Sequence, residues 1–285
     1  MSTGNLRQPD ELLAALAEII KPLGKIAVAS SGGVDSTVLL VAAAHILGPN
    51  QVLAVTALAP MVPMDDQADA SQLAGLAGVQ HLVARLPESI LDLPPFATNP
   101  PDRCYHCKKI IFDALLALAR GAGFNTLCDG TNRDDLKDYR PGLRALQEMK
   151  VVSPLAEAGF SKAEVRALAA KVCPDFAEKP AMACLATRIP THTPVTMAAM
   201  ARIDKAESLL RHKGLAQVRV RDHAGLARVE LDPAELEKGI GPDLIVLLRD
   251  SLNEAGFSYA TLDLMGYRSG SMNPAAQSNE QKETP

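Results

Sequence analysis

The chain has 285 residues, 47% of them hydrophobic and 22% charged, with 29 basic against 33 acidic residues and a net charge of −4. That balance excludes a broad electrostatic surface for RNA or DNA, whose non-specific affinity comes from Lys and Arg neutralising phosphates, and leaves only local basic patches open. No run approaches the roughly 18 apolar residues of a membrane span. The N-terminus MSTGNLRQPD has no charged-then-apolar leader, so a cytoplasmic protein with neither membrane nor nucleic-acid partners is expected.

The first half alternates apolar runs with helical patterns. KIAVA (25–29), VLAVTAL (52–58), HLVA (81–84), TLCD (126–129) and VVSP (151–154) read as strands, with helices near 36–47, 66–77 and 105–120. Continuous apolar strands alternating with helices predict an α/β fold with a parallel sheet covered on both faces. Two proline-rich stretches interrupt the pattern. LPPFATNPPDR (93–103) has four prolines and is expected to be neither helix nor central strand but a loop delivering Cys104 to a site. CPDFAEKPAMACLATRIPTHTP (173–194), also with four prolines, encloses Cys184.

Beyond residue 194 come a helix (195–213), the strands AQVRVRD and LARVELD joined by HAG (223–225), a helix (242–255) and SYATLDL. Alternating Arg and Val predict a hairpin with one buried and one basic face. The domain reading is 1–190 for the α/β domain, 191–268 for a small α+β domain and 269–285 for a disordered tail.

Chemistry concentrates in three motifs. SSGGVDST (30–37) follows the first strand; adjacent glycines let the backbone turn at positive φ, and a helix starting near Ser36 aims free N–H groups at an anion. No GK[ST] follows, so it is not the common P-loop. SGGVDS instead resembles the PP-loop of ATP pyrophosphatases. That implies a site for ATP pyrophosphate from Ser30, Ser31, Gly32, Gly33, Asp35 and Ser36, with Asp35 holding Mg²⁺ or capping the helix. In that superfamily a Gly-Thr-Asn segment after a later strand faces the nucleotide, which assigns Asp129, Gly130, Thr131 and Asn132 of DGTNRDD to the same site.

RCYHCKK (103–109) carries a CxxC at a helix start, where the dipole and Arg103, Lys108 and Lys109 add positive potential. By itself it reads as a redox pair, half a zinc site or a set of cluster ligands. No second CxxC exists to complete a four-cysteine zinc site, and Cys184 adds a third sulfur; three thiolates leave one iron of a [4Fe–4S] cluster open. His106 is read as a spacer, and Cys128 and Cys173 as core residues.

Together SGGVDS, RCYHCK, DGTNRDDLKDYRPGLRA, SPLAEAGFSKAEVRALA and KPAMACLATRIP resemble the LarE family across residues 20–265. The resemblance implies an ATP-dependent sulfurtransferase of nickel-pincer nucleotide cofactor biosynthesis, the cofactor of lactate racemase, often assembled as a homohexamer. ATP adenylylates a carboxylate of pyridinium-3,5-biscarboxylic acid mononucleotide, and sulfur then displaces AMP. In one version of the family a cysteine matching Cys184 gives up its own sulfur; in the other three cysteines, here Cys104, Cys107 and Cys184, hold a [4Fe–4S] cluster fed by a sulfide donor. Cysteine at all three positions favours the cluster version. Arg188, Glu207, Arg219, Arg221 and Glu230 match substrate- or metal-binding positions, with Cys184 and Asp35 as the catalytic pair. By spacing alone, Arg219, Arg221 and Glu230 also read as a solvated hairpin face with cross-strand Arg–Glu pairs. A PP-loop tRNA-thiolating enzyme, an ammonia-dependent synthetase of the same superfamily and a nucleotide-sensing module without catalysis are the competing readings.

Overall fold

The computed structural model describes residues 6–63, 72, 74–137, 141–177, 179, 184–215 and 217–268. The chain divides into two compact units: residues 1–59, 64–86 and 104–182 form one, and residues 60–63, 87–103 and 183–285 the other. The tail from 269, and most of the helix expected near 66–77, lie outside the described residues.

The first unit is built on four parallel strands, β1 (Ile26–Ala29), β2 (Val52–Leu58), β3 (Gln80–Arg85) and β4 (Thr126–Cys128), in the order β3-β2-β1-β4. Its helices are α1 (Pro9–Ile20), α2 (Val34–Leu47), α3 (Arg103–Gly121), α4 (Pro141–Glu148) and α5 (Lys162–Val172). Side chains alternate across each strand, so β1 sends Ile26 and Val28 into a core with Leu12, Leu16, Leu39, Val165 and Leu168. It sends Ala27 into a second core with Leu53, Val55, Phe112, Leu116, Leu127 and Leu146. Both faces of the sheet are therefore covered, which is why the strands read as unbroken apolar runs.

VVSP contributes only a single parallel bridge, Val152 to Cys128, rather than a strand. Pro154 has no N–H to continue the ladder and instead opens a one-turn helix, Pro154–Glu157. The cysteines read as core residues are core: burial pushes the Cys128 thiol up to about 12 and that of Cys173 up to about 11.

In the second unit, α6 (Met197–His212) and α7 (Pro242–Ala255) accompany β5 (Val218–His223), β6 (Leu226–Leu231) and β7 (Tyr259–Leu262). The hairpin turns through Ala224 and Gly225, both at positive φ (55° and 96°), as a tight two-residue turn matched to strand twist requires. β7 adds to β6 in parallel, giving the order β5-β6-β7. One expectation fails in this unit. Proline-rich 93–103 does contain a helical turn, Pro94–Ala97, because prolines at the first helical positions lack only N–H groups that have no intrahelical partner there. Phe96 from this turn is fully buried, and its carbonyl accepts from Val195 N at 3.0 Å.

Candidate functional site

The sheet order puts β1 and β4 side by side while their chains continue in different directions, so the loops after them flank the crevice where open α/β sheets take ligands. The loop after β1 begins at Ser30, whose N–H continues the ladder to Val55 O at 2.9 Å and whose carbonyl accepts from Thr56 Oγ1 at 3.0 Å. Its own hydroxyl is buried and finds no hydrogen-bond partner among the described residues. An unpaired buried hydroxyl costs free energy, and a ligand oxygen would remove the cost.

Gly32 takes φ 79°, a turn a side chain would strain. Ser36 Oγ accepts from Ser31 N at 3.2 Å and donates to Gly33 O at 3.0 Å, so this hydroxyl shapes the loop itself. α2 starts at Val34, two residues earlier than expected, with Gly33 as N-cap and no capping side chain. Asp35 is therefore not a cap. It accepts from Asn132 Nδ2 at 3.2 Å and pairs with Lys162, whose ammonium marks a cation position on the carboxylate. Lys179 Nζ donates to Gly32 O at 2.8 Å.

The loop after β4 closes on the first loop by backbone contact. A Cβ on Gly130 would stand 2.7 Å from Ser36 N, so only glycine fits there. Asp129 accepts from Thr131 Oγ1 at 2.5 Å and Ser153 Oγ at 2.6 Å, and Lys108 Nζ lies 4.0 Å from it. Asn132 Oδ1 accepts from the N–H groups of Asp134 and Asp135 at 2.9 and 3.3 Å, which aims its amide at Asp35. The ten residues expected to meet the nucleotide thus fall on two loops and the first turn of α2 at one end of one sheet. The orphaned Ser30 hydroxyl and the glycine-lined approach suit an anion, and the Asp35 carboxylate is the hard oxygen donor that Mg²⁺ takes.

The second unit holds a separate charged cluster. Arg188 is fully buried and forks onto Glu207 (1% exposed) through Nε at 3.0 Å and Nη2 at 2.9 Å. It also donates to Cys184 O at 3.2 Å and Thr187 Oγ1 at 3.1 Å, so it fixes the turn Leu185–Arg188 that follows Cys184. Arg221 forks onto Glu230 at 3.0 and 2.6 Å and donates to Thr187 O at 3.2 Å. Arg219 lies 5.2 Å from the Tyr267 ring centroid and donates to Val218 O at 2.8 Å.

Burial opposes the charge on Arg188, Glu207 and Arg219. It acts first to lower the Arg188 pKa, but Glu207 outweighs it and the net shift is upward. Burial pushes Glu207 up, and Arg188, Arg219 and the Val220 N–H hold it below the carboxylate range. Arg219 is lowered by burial and by Arg188. The hairpin face expected to be basic and solvated is therefore inside: Arg219 is 3% and Arg221 5% exposed, because two carboxylates neutralise the strand that carries them.

Cys104 and Cys107 are one helical turn apart at the start of α3, and Cys184 stands ahead of the turn Leu185–Arg188. His106 stacks edge-on with Tyr105 at 5.1 Å. Among the described residues, no group of three or more His, Cys, Asp or Glu side chains forms a metal site.

No protein-family model matches the chain. An uncharacterised protein of Synechocystis sp. is 39% identical over 261 residues, 92% of this chain and 96% of its own length. Pyridinium-3,5-bisthiocarboxylic acid mononucleotide synthase of Lactiplantibacillus plantarum is 36% identical over 266 residues, 91% of this chain and 93% of its own. The chain belongs to the LarE family. An uncharacterised protein of Methanocaldococcus jannaschii is 28% identical over 245 residues, 86% of this chain and 91% of its own length.

Several residues that shape these loops carry no sequence signal of a role. Lys162, Lys179 and Ser153 reach the loops after β1 and β4 from distant positions, and Arg7 meets Glu164 across 157 residues. In the second unit, buried Asn99 donates to Pro190 O at 2.8 Å and Thr193 O at 2.9 Å, while Arg103 Nη1 donates to Asn99 Oδ1 and Ala186 O. Only Lys162 had a readable local cue: SKAE is a capping box that fixes where its helix begins. Among the described residues no helix is long and apolar enough to cross a membrane.

Proposed function

We propose that the chain is an ATP-dependent sulfurtransferase that converts the carboxylates of pyridinium-3,5-biscarboxylic acid mononucleotide to thiocarboxylates in nickel-pincer nucleotide cofactor synthesis. The observation that carries this reading is the match, over nine-tenths of both chains, to a relative named as the synthase of the bisthiocarboxylic acid product. The loop geometry supports ATP as the activating substrate: a buried hydroxyl lacking a partner, glycines where backbones meet, and a carboxylate already holding a cation.

In the proposed reaction a substrate carboxylate oxygen attacks the α-phosphorus of ATP, a P–O bond to pyrophosphate breaks, and an acyl-adenylate forms. A carboxylate resists nucleophiles, and adenylylation turns one oxygen into a leaving group; sulfur then bonds to the carbonyl carbon as AMP departs. Ser30 and the backbone donors of 31–36 bind the departing pyrophosphate, Asn132 and Lys162 orient Asp35, and Asp35 holds Mg²⁺. Arg188, Arg219 and Arg221 outnumber Glu207 and Glu230, which supports this cluster as the seat of the substrate phosphate.

For sulfur, we propose Cys104, Cys107 and Cys184 as the protein ligands of a [4Fe–4S] cluster, which when bound supplies an open iron for exchangeable sulfide. Thiols are the donors such a cluster takes; Cys104 and Cys184 are half-buried and Cys107 is buried at the start of α3, whereas Cys128 and Cys173 pack in the core. Among the described residues these thiols are not gathered into a ligand set. We also propose a homohexamer, supported by the exposed Ile240, Ile245, Val246 and Tyr259 of the second unit.

Anaerobic incubation with ATP, Mg²⁺, sulfide and the dicarboxylate mononucleotide, followed by mass spectrometry, tests the reading. Thiocarboxylate, AMP and pyrophosphate in equal amounts are expected; AMP-free incubations overturn it. More than one product per chain with unchanged protein mass supports the cluster route, and a loss equal to H₂S at Cys184 replaces it with self-sacrifice.

A further inference from the structure

Both carboxylate oxygens of Asp35 are engaged: Oδ1 accepts from Asn132 Nδ2, and the ammonium of Lys162 sits on Oδ2. Lys162 is held there from 127 positions away by its backbone. Lys162 N donates to Asp134 Oδ2 at 2.9 Å and Arg133 N to Phe160 O at 2.8 Å, tying the start of α5 to the loop after β4. Ser161 caps α5, and Glu164 Oε2 accepts from Ser161 N at 2.9 Å and Ser161 Oγ at 3.0 Å. Arg7 completes the brace, donating to Glu164 Oε1 at 2.7 Å, Ala158 O at 3.1 Å and Gly159 O at 3.2 Å, with its guanidinium 5.0 Å from the Phe160 ring centroid.

The base of Lys162 is therefore fixed while its tip is not. About a third of the side chain is exposed, and four methylenes let the ammonium leave without opening the core. A bare Asp35 would repel an incoming polyphosphate; a neutralised one would not. A divalent ion carries twice the charge of an ammonium and takes the same oxygen.

We propose that Lys162 is the resident counter-cation of Asp35, keeping the loop receptive to a nucleotide triphosphate until the accompanying divalent cation displaces it. The proposal takes its setting from the ATP reading above, but competition for Oδ2 is a property of these two side chains alone. Two measurements on the full chain separate them. Binding of Mn²⁺ alone, followed by the electron paramagnetic resonance of the free ion, is expected to be at least threefold tighter in Lys162→Met than in wild type. The gain disappears in the Asp35→Asn/Lys162→Met double variant. By calorimetry, Lys162→Met is expected to bind ATP in EDTA about tenfold more weakly than wild type but MgATP within threefold of it. Lys162→Arg retains wild-type behaviour in both, and Lys162→Gln repeats the series should the methionine variant melt early.

Mn²⁺ binding no tighter in Lys162→Met or Lys162→Gln overturns the proposal. So does an equal loss of affinity with and without Mg²⁺, which would make Lys162 a permanent phosphate ligand. Tighter Mn²⁺ binding in a protein that binds no ATP under either condition would leave the counter-cation standing and remove the ATP reading.

Discussion

Gly130 presses its backbone against Ser36: a Cβ at 130 would meet Ser36 N at 2.7 Å and the Asp35 carbonyl carbon at 3.0 Å. The atoms in the way are backbone, so they cannot swing aside. Gly130→Ala is expected to force the two nucleotide loops apart, costing about 1–3 kcal/mol of stability and at least tenfold in ATP affinity. Thermal melts and calorimetry check both; unchanged ATP affinity would show that the loops bind independently.

Ser30 predicts a trade of opposite sign. Its buried hydroxyl has no partner, so Ser30→Ala removes an unsatisfied group and leaves a residue that fits the same space. Melting is expected to be unchanged or higher, by up to about 1 kcal/mol, while ATP affinity falls. A variant that loses stability without losing affinity would give the hydroxyl a structural role instead.

Arg7 and Glu164 make an acid-sensitive brace. The Arg7 hydrogen bond holds the Glu164 carboxyl at about 2, well below its ordinary 4.5. A depressed folded pKa contributes stability that is complete above about 4.5 and is lost as pH falls toward 2. Wild type should therefore lose more stability than Glu164→Gln between pH 5 and 2, measured by denaturant titration. At pH 7, Arg7→Ala is expected to cost about 1–2 kcal/mol, discounted because Arg7 is partly solvated.

Arg188 and Glu207 form the most deeply buried pair. Truncating Arg188 strands a carboxylate inside the second unit, so Arg188→Ala is expected to cost about 3–5 kcal/mol, with the Arg188→Met/Glu207→Leu double variant recovering much of it. Because Arg188 also holds the Cys184 carbonyl, the double variant should regain most of the lost stability yet remain inactive in sulfur transfer. Activity in that variant would remove Arg188 from the site.

Thiol labelling distinguishes core cysteines from the rest. With thiols pushed up to about 12 and about 11, Cys128 and Cys173 are expected to resist iodoacetamide at pH 8 in the native protein and to react only after denaturation. Peptide mass spectrometry reads each site.

The strands and longer helices were legible because apolar runs and helical periods are local signals; β2 coincides with VLAVTAL from end to end. The meeting of the loops after β1 and β4 was legible as residue types, since glycine permits close backbone approach and serine and aspartate shape the turns beside it. What the sequence hid was pairing. Cross-strand Arg–Glu pairing was legible on the hairpin, and Arg221 does pair with Glu230, but nothing near the strand announces that Glu207 will join them, so a charged, alternating strand read as solvent-facing while it packs inside. Nothing near Lys162 points to Asp35, because that contact exists only once α5 lies against the loop after β4. VVSP failed for the converse reason: local apolarity said strand, but Pro154 ended the ladder after one bridge.

The second unit is stitched from three stretches of chain. Leu185 N bonds to Met61 O at 2.9 Å, Val195 N to Phe96 O, and Asn99 straps Pro190 and Thr193. A gene fragment starting at residue 183 would therefore be missing Met61, Phe96 and Asn99, an anchor, a plug and a tether for its own first dozen residues. Such a fragment should emerge from the ribosome with Cys184 on a slack thread, so this half of the protein cannot be transplanted as a single contiguous cassette.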